Sequence, residues 1–210
     1  MLMLEDDLFI GKGLHKAAFI YPGQPDKVVK VPFDPRDAEL RHELAYRRSR
    51  HWRHLGSELL AGYYGPVETN KGRGYVFERV VNADGTACET MAERLQRLEK
   101  QAVCLKEQGS EALQSLREET AGWLRAFTEQ MQSERILTND TDCQDNWVWQ
   151  ESGQEGRWRV IDNIGSPVAI PLVYYWDFMT RRHIERWRRR FRYSLLSQYP
   201  CLLNAESADI

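Results

Sequence analysis

The sequence has few cysteines and no long hydrophobic run, and each absence excludes a class of protein. The four cysteines among 210 residues show no CxxC spacing. They therefore predict neither a disulfide framework nor a zinc site, and they are typical of reduced thiols in the cytoplasm. No apolar stretch approaches the roughly 20 residues of a membrane-spanning helix, and the net charge of −2 argues against a general nucleic-acid binder. We expect a soluble, cytoplasmic chain of one large domain or two small lobes.

The first third of the chain predicts five strands and one helix. Short runs of apolar and β-branched residues, separated by glycine- and proline-containing turns, favour strands. The strands are expected at residues 8–10, 17–21, 28–33, 63–68 and 75–81. A stretch of helix formers predicts a helix over residues 37–53, after the third strand. We assign residues 1–82 to a first lobe that contains this sheet and helix.

Beyond the turn at residues 82–85, the sequence becomes mainly helical. Charged residues dominate a predicted helix at 89–106, and a core-facing apolar stripe indicates a second helix at 111–132. A hairpin is expected at 147–150 and 157–161, and the end of the chain, 172–198, is again predicted to be helical. Residues 83–210 form the second predicted lobe, so the fold class is α+β.

A glycine-containing loop and a strand lysine predict one half of a phosphate site. Gly11 and Gly13 carry no Cβ, so the backbone there can approach phosphate oxygens closely. A strand follows this loop rather than a helix, which disfavours a Rossmann site. Lys30 lies in an apolar strand and needs an acidic partner if it points inward. On the following helix Glu43 is a better candidate than Glu39, because Glu43 falls on the inward side.

An asparagine and an aspartate late in the chain predict the other half of this site. Asp162 ends an apolar strand and is followed by a glycine three residues later, and Asn146 precedes the same hairpin. A carboxylate and an amide oxygen are ligands that Mg²⁺ takes together with phosphate and water. Glycine loop, lysine, asparagine and aspartate follow one another in the order found in protein kinases.

Several of these segments together resemble the YrbL family, the PhoP regulatory network proteins, over nearly the whole chain. The resemblance rests on residues 11–13, 29–31, 39–46, 64–69, 72–76, 162–165 and 170–187. The family is similar to small protein-kinase-like proteins. The resemblance therefore implies a compact two-lobed fold with ATP between the lobes, in which the backbone of Phe77 and Glu78 meets the adenine.

The catalytic loop departs from the kinase pattern. Kinases carry an aspartate five residues before the metal-binding asparagine, and counting back from Asn146 gives Thr141. Asp140 and Asp142 flank that position, and we favour Asp140 as the general base, because a one-residue bulge would bring it into place. Cys143 replaces the basic residue expected two positions after the aspartate. No APE motif follows, and the short remaining chain predicts a truncated C-terminal lobe.

The sequence predicts a kinase-like protein that binds ATP with Mg²⁺. One use of the bound ATP would be the transfer of its γ-phosphoryl group to a protein, sugar or small-molecule acceptor. An alternative is a pseudokinase, a nucleotide-dependent regulatory or docking module. A third interpretation rests on the seven arginines at 181–192, which indicate a site for phosphate-rich ligands or nucleic acid. The same segment also fits an amphipathic helix docked on the lobe with its arginines in solvent.

Overall fold

Five antiparallel strands and one helix occupy the first 78 residues of the computed structural model, which describes residues 1–107, 111–138, 141–142, 144–153, 155–165 and 171–204. The elements are β1 (Phe9–Lys12), β2 (Lys16–Tyr21), β3 (Gln24–Pro32), α1 (Ala38–Trp52), β4 (Tyr63–Thr69) and β5 (Gly72–Glu78). The strand order is β1-β2-β3-β5-β4. A helix after the third strand is confirmed. β3 begins four residues earlier than expected, because Gly23 at a φ of 74° allows a tight hairpin turn.

Strand alternation gives this sheet one apolar face and one face that carries lysine. Phe19, Val29 and Val31 are buried with Leu4 in a small core on one side. Gly74 is required there, because a Cβ at this position would lie 2.6 Å from Cγ1 of Val29. Successive strand residues point to opposite faces, so Lys30 lies on the other face of the sheet, toward the remainder of the molecule.

α1 is fixed to the helical part of the chain through a buried arginine. Asp37 caps the start of α1 by accepting a hydrogen bond from the amide of Leu40 at 2.7 Å. Arg50, near its other end, is 4% exposed. Its guanidinium donates to the carbonyls of Glu134 and Gly56, both at 2.7 Å, and to the hydroxyl of Tyr46. The bond to Glu134 satisfies a carbonyl group just after the helix at Glu111–Ser133, where backbone carbonyls lack an intrahelical donor.

The rest of the described chain is mainly helical and contains a small second sheet. Its elements are β6 (Glu89–Thr90), α2 (Met91–Glu107), α3 (Glu111–Ser133), β7 (Trp147–Ser152), β8 (Glu155–Val160) and α4 (Asp177–Gln198), with 3-10 turns at Gln144–Asn146 and Pro171–Tyr174. β6, β7 and β8 form a three-stranded antiparallel sheet. The α+β class is therefore confirmed.

The prediction of one solvated helix from residue 89 is wrong in two respects. Residues 89 and 90 form β6, because Glu89 pairs with Trp149 of β7, a contact between distant parts of the sequence. The helix that follows buries Met91, Leu95 and Ala102 against the core. Its charged residues therefore cover one face only.

Aromatic side chains connect the helices to the second sheet. Trp158 packs against Trp123 and Trp149, with ring centroids 5.1 and 5.3 Å apart. Phe127 lies between Trp158 and Trp147, at 5.9 and 5.3 Å. Trp147 in turn contacts Trp187 on α4, as well as Phe191. Five tryptophans thus form one connected cluster in the larger core. No helix among the described residues is long and apolar enough to cross a membrane.

Candidate functional site

Two lysines from the first sheet meet one aspartate from the end of β8. Lys16 Nζ lies 2.6 Å from Oδ1 of Asp162, and Lys30 Nζ lies 3.3 Å from Oδ2 of the same carboxylate. Lys30 also donates to the carbonyl of Ile161 at 2.7 Å. All three charged side chains are largely buried. The structure therefore brings together the predicted Lys30 and Asp162, and it adds Lys16.

Strand register explains why Lys16 lies beside Lys30. Lys30 on β3 pairs with Ala18 on β2, and Lys16 precedes Ala18 by two residues. Residues two apart in a strand share a face, so both ammonium groups extend from the same side of the sheet. The sequence did not identify Lys16 as a site residue. The signal that could have found it is this alternation along residues 16–21.

Burial and mutual attraction set the protonation states of this cluster. Burial alone would raise the pKa of Asp162, but Lys30, Lys16 and the amide of Asn163 together hold that pKa well below its usual range. Burial lowers the pKa of Lys30, against the opposite influence of Asp162 and Glu43. Burial also opposes the charge of Lys16, but Asp162 and Glu43 outweigh it and raise the pKa of Lys16. At neutral pH Asp162 is an ionised carboxylate.

The predicted direct pairing of Lys30 with Glu43 is wrong in this structure. Glu43 is 2% exposed and accepts a hydrogen bond from Nε of Arg47, one helical turn further on, at 2.8 Å. The (i, i+4) geometry brings Arg47 onto Glu43, whereas Lys30 is held by Asp162. Glu43 nevertheless acts on both lysines through its charge. It contributes to the raised pKa of Lys16, and it opposes the burial that lowers the pKa of Lys30.

The glycine loop is open and its glycines are not required by the fold. Gly11 lies in β1 opposite Ala18, and the amide of Gly13 donates to the carbonyl of Lys16 at 2.9 Å. A Cβ added to Gly11 or Gly13 would meet no atom within 4 Å. Neither glycine has a positive φ. The free space above both residues is what a close ligand would need.

The backbones of Asn146 and Asp162 lie close together at the open end of the β7–β8 hairpin. Trp147 pairs with Val160, and the carbonyl of Asn146 accepts a hydrogen bond from the amide of Ile161 at 2.9 Å. An ionised carboxylate beside an amide is a donor set that suits Mg²⁺ when phosphate and water complete it. The described residues contain no group of three or more His, Cys, Asp and Glu side chains placed to hold a metal by themselves. Asn146 and Asp162 stay predicted metal ligands, and they would need phosphate and water to complete the coordination.

The segment after Asp162 packs directly on α1. Asn163 and Gly165 have positive φ values of 59° and 97°. A Cβ on Gly165 would lie 3.0 Å from the carbonyl oxygen of His42, so the close contact with α1 requires glycine. The amide of Gly165 donates to the carbonyl of Leu137 at 2.7 Å. The predicted metal loop and the helix of Glu43 are thus held together by backbone contacts.

Of the two aspartates predicted as candidate bases, the structure describes only Asp142. Asp142 is exposed, and its carboxylate accepts hydrogen bonds from Ser194 and Gln198 on α4. It is thus held by a helix. Asp140 lies outside the described residues, as does Cys143, so the preference for Asp140 as base stays a prediction.

Phe77 and Glu78, at the end of β5, have side-chain contacts that the sequence did not predict. Phe77 is fully buried, and Nζ of Lys30 lies 4.7 Å from its ring centroid. Glu78 accepts hydrogen bonds from Arg159 of β8 at 2.5 Å and from the amide of Gly62 at 2.8 Å. Glu78 thus joins the two sheets. The backbone amide of Glu78 donates to the carbonyl of Gly62 at 2.9 Å. The contact of the Phe77 and Glu78 backbone with adenine stays a prediction.

Comparison with known proteins identifies relatives of the whole chain. The family model of the PhoP regulatory network protein YrbL matches residues 2–195. The uncharacterised YrbL proteins of Escherichia coli (strain K12) and Shigella flexneri are each 28% identical over 199 residues, covering 91% of this chain and 86% of the relative. Among solved structures, the GDP and kanamycin complex of APH(2")-IIia matches with a TM-score of 0.35 at 12% identity, covering 92% of this chain and 80% of that chain. The resemblance seen in the sequence is confirmed, and the chain belongs to the YrbL family.

Proposed function

We propose that this protein binds ATP with Mg²⁺ between the glycine loop and Asp162, and transfers the γ-phosphoryl group to an acceptor. The observation that supports the proposal best is the cluster of Lys16, Lys30 and Asp162. It joins two cations from the first sheet to one carboxylate that follows β8, and the carbonyl of one of these lysines, Lys16, accepts a hydrogen bond from Gly13 of the open loop. Two buried ammonium groups that share one carboxylate leave a net positive charge, which suits a polyphosphate.

Each residue of the cluster has a role in this proposal. Lys30 and Lys16 hold phosphate oxygens, and the charge of Glu43 helps to keep both lysines protonated. Asp162 and Asn146 hold the metal, which when bound would neutralise charge on the phosphates. Both oxygens of Asp162 contact lysines without ligand. Binding therefore exchanges ammonium–carboxylate contacts for ammonium–phosphate contacts.

The first prediction is thermal stabilisation by nucleotide. Excess ATP with Mg²⁺ should stabilise the folded protein by roughly 2–4 kcal/mol when its concentration is 100–1,000 times the dissociation constant. Thermal-shift titration with and without Mg²⁺ measures this effect. Lys30→Met should remove most of the shift. Lys27→Met is the matched control, because it removes the same charge from the same strand at a lysine whose ammonium group donates to Gln24. This variant should retain the thermal shift.

No melting-temperature shift in the wild type at millimolar ATP would contradict the proposed function while leaving the fold unaffected. An equal loss of the shift in both lysine variants would also contradict it. In that case the charge of the sheet as a whole, and not the position of Lys30 against Asp162, would attract the nucleotide.

The second prediction concerns the glycine loop. Gly13→Ala should change the free energy of unfolding by no more than about 0.5 kcal/mol, because a Cβ there meets no neighbour. The same change should weaken ATP affinity roughly tenfold, since the methyl group would occupy the space that the phosphates approach. Isothermal titration calorimetry measures the affinity, and urea unfolding measures the stability.

Gly122→Ala is the matched control for this loop variant. Gly122 is an exposed residue within α3, and a Cβ there also meets no atom within 4 Å. This change should stabilise the protein by up to about 1 kcal/mol through helix propensity and leave ATP affinity unchanged. Unaltered ATP affinity in Gly13→Ala would mean that the phosphates do not lie against the loop.

A second candidate function is a nucleotide-dependent regulatory or docking module without catalysis. The hydrogen bonds from Ser194 and Gln198 of α4 to the carboxylate of Asp142 favour it, because they occupy one of the two carboxylates that the sequence offers as a general base. The two functions differ in whether the labelled γ-phosphate of bound ATP is transferred. A loss of transfer in Asp140→Asn with ATP binding retained would support the enzyme and identify its base.

A further inference from the structure

Exposed arginines line the solvent side of α4, and two of them, Arg186 and Arg189, have no carboxylate partner among the residues that the structure describes. The apolar face of this helix is buried through Ile184, Trp187 and Phe191, so the predicted amphipathic docking is observed. Arg186 and Arg189 are exposed, and neither forms an ion pair with a carboxylate in the part of the chain that the structure describes.

These arginines lie in a groove and not on a flat surface. The groove has a volume of about 500 Å³ and is lined by His183, Arg186, Arg189, Arg190 and Tyr193. Residues three and four apart on a helix project side by side, so Arg186, Arg189 and Arg190 form one cationic row. Tyr193 is 73% exposed and offers an aromatic face at the end of that row.

Two hydrogen bonds connect this groove to the proposed nucleotide site. Nε2 of the half-buried His183 donates to the carbonyl of Thr138 at 3.3 Å. The hydroxyl of Thr138 donates to the carbonyl of Asn163 at 3.0 Å, and Asn163 directly follows Asp162. Burial lowers the pKa of His183, and Arg186 and Arg190 lower it further, against the effect of the Thr138 carbonyl. The arginines thus act on a residue that is linked to Asn163, the neighbour of Asp162, through Thr138.

We propose that this groove is the acceptor site and that the acceptor is a small hydroxyl compound carrying a phosphate group. The guanidinium fork matches phosphate oxygens in a bidentate manner, and several such groups in a row suit a dianion. Tyr193 would pack against the remainder of the molecule. The acceptor role rests on the proposed function. Transfer would join the acceptor's hydroxyl oxygen to the γ-phosphorus of ATP, break the bond from that phosphorus to the β,γ-bridging oxygen, and release ADP and the hydroxyl proton.

Calorimetric titration with glucose 6-phosphate and with inorganic phosphate tests the groove, with glucose as the neutral comparison. The groove variant is Arg186→Gln with Arg189→Gln. The control variant is Arg181→Gln with Arg192→Gln, which removes the same charge from the same helix outside the groove lining. We expect both phosphates to bind the wild type and glucose not to bind. Affinity should fall at least about tenfold in the groove variant and less than about twofold in the control.

Three results would overturn the groove as a phosphate site. One is the absence of binding by either phosphate at millimolar concentration. Another is an equal loss of affinity in both arginine variants, which would indicate the diffuse positive field that nucleic acids bind. The third is loss of glucose 6-phosphate binding in Lys30→Met, which would place the anion in the nucleotide site.

The experiments distinguish a failure of the phosphate groove from a failure of the proposed ATP site. A phosphate that binds the groove while ATP gives no thermal shift overturns the proposed function and the acceptor role, but not the site. A thermal shift with ATP in a protein that binds neither phosphate compound overturns the groove alone. The groove variant itself should keep the full ATP shift, because its arginines lie outside the cluster of Lys16, Lys30 and Asp162.

Discussion

Replacing Asp162 with alanine should lower the free energy of unfolding by about 3–5 kcal/mol, the usual cost of removing one partner from a buried ion pair. The variant leaves Lys16 and Lys30 without the carboxylate that both contact. Urea unfolding at neutral pH measures the change. The midpoint should fall while the slope stays constant, because the surface exposed on unfolding is nearly unchanged.

The triple variant Lys16→Met, Lys30→Met, Asp162→Ala is the control for this result. Methionine retains much of the volume of lysine without its charge, so the triple variant should recover most of the lost stability. If it is as unstable as Asp162→Ala, the defect lies in packing around residue 162 and not in the uncompensated lysines.

The difference in the free energy of unfolding between the wild type and Asp162→Ala should depend on pH, and its sign follows from the pKa of Asp162. The pKa of Asp162 is held below its ordinary value in the folded state. Its contribution is therefore complete above the unfolded pKa of about 3.9 and is lost progressively as the pH falls below that value toward the folded pKa. The stability difference between wild type and Asp162→Ala should thus narrow below about pH 4. A constant difference down to pH 2 would contradict the ion-pair explanation.

Arg50→Met should lower the free energy of unfolding by about 3–5 kcal/mol, although Arg50 lies outside the proposed site. Its guanidinium is buried and donates to the carbonyls of Glu134 and Gly56 and to the Tyr46 hydroxyl. Hydrogen bonds from a charged group contribute about 1.5–3 kcal/mol each, and the variant loses the two bonds to carbonyl oxygens at 2.7 Å. At roughly 2–4 °C per kcal/mol for a chain of this size, the melting temperature should fall by about 6–20 °C.

Arg48→Met is the matched control for the Arg50 variant. Arg48 lies on the same helix and is exposed, so its replacement should change the free energy of unfolding by no more than about 0.5 kcal/mol. Both proteins should retain ATP affinity when assayed well below their melting temperatures. Similar destabilisation by both changes would show that net charge, rather than the buried hydrogen bonds, is responsible.

Local sequence determined most of the fold in this chain. Strands such as β2 and β3 are marked by apolar, β-branched runs with a proline–glycine turn between them, and α1 begins at a capping aspartate, Asp37. These signals act over a few residues, so they can be read directly. β6 carries no such signal, because its strand conformation comes from pairing with Trp149.

The sequence could predict a site residue where a buried charge requires an opposite charge. It could not predict which of two possible cations an acidic residue would bind. Lys30 and Asp162 could be found because a buried charge needs a partner. The partner of Glu43 could not be found, because Arg47 and Lys30 both compete for it and only tertiary geometry decides between them. Lys16 was missed for a related reason, since its significance depends on the register of β2 against β3.

The tryptophan cluster has a consequence for spectroscopy. Five of the seven tryptophans belong to the cluster around Trp147 and Trp158, and the five strands of the first sheet contain none. Indole fluorescence and near-ultraviolet circular dichroism will therefore report chiefly on the helical part. Far-ultraviolet dichroism records both parts. Melting curves from the two methods will coincide only if sheet and helices unfold together, so these spectra can reveal whether the protein unfolds as one cooperative unit.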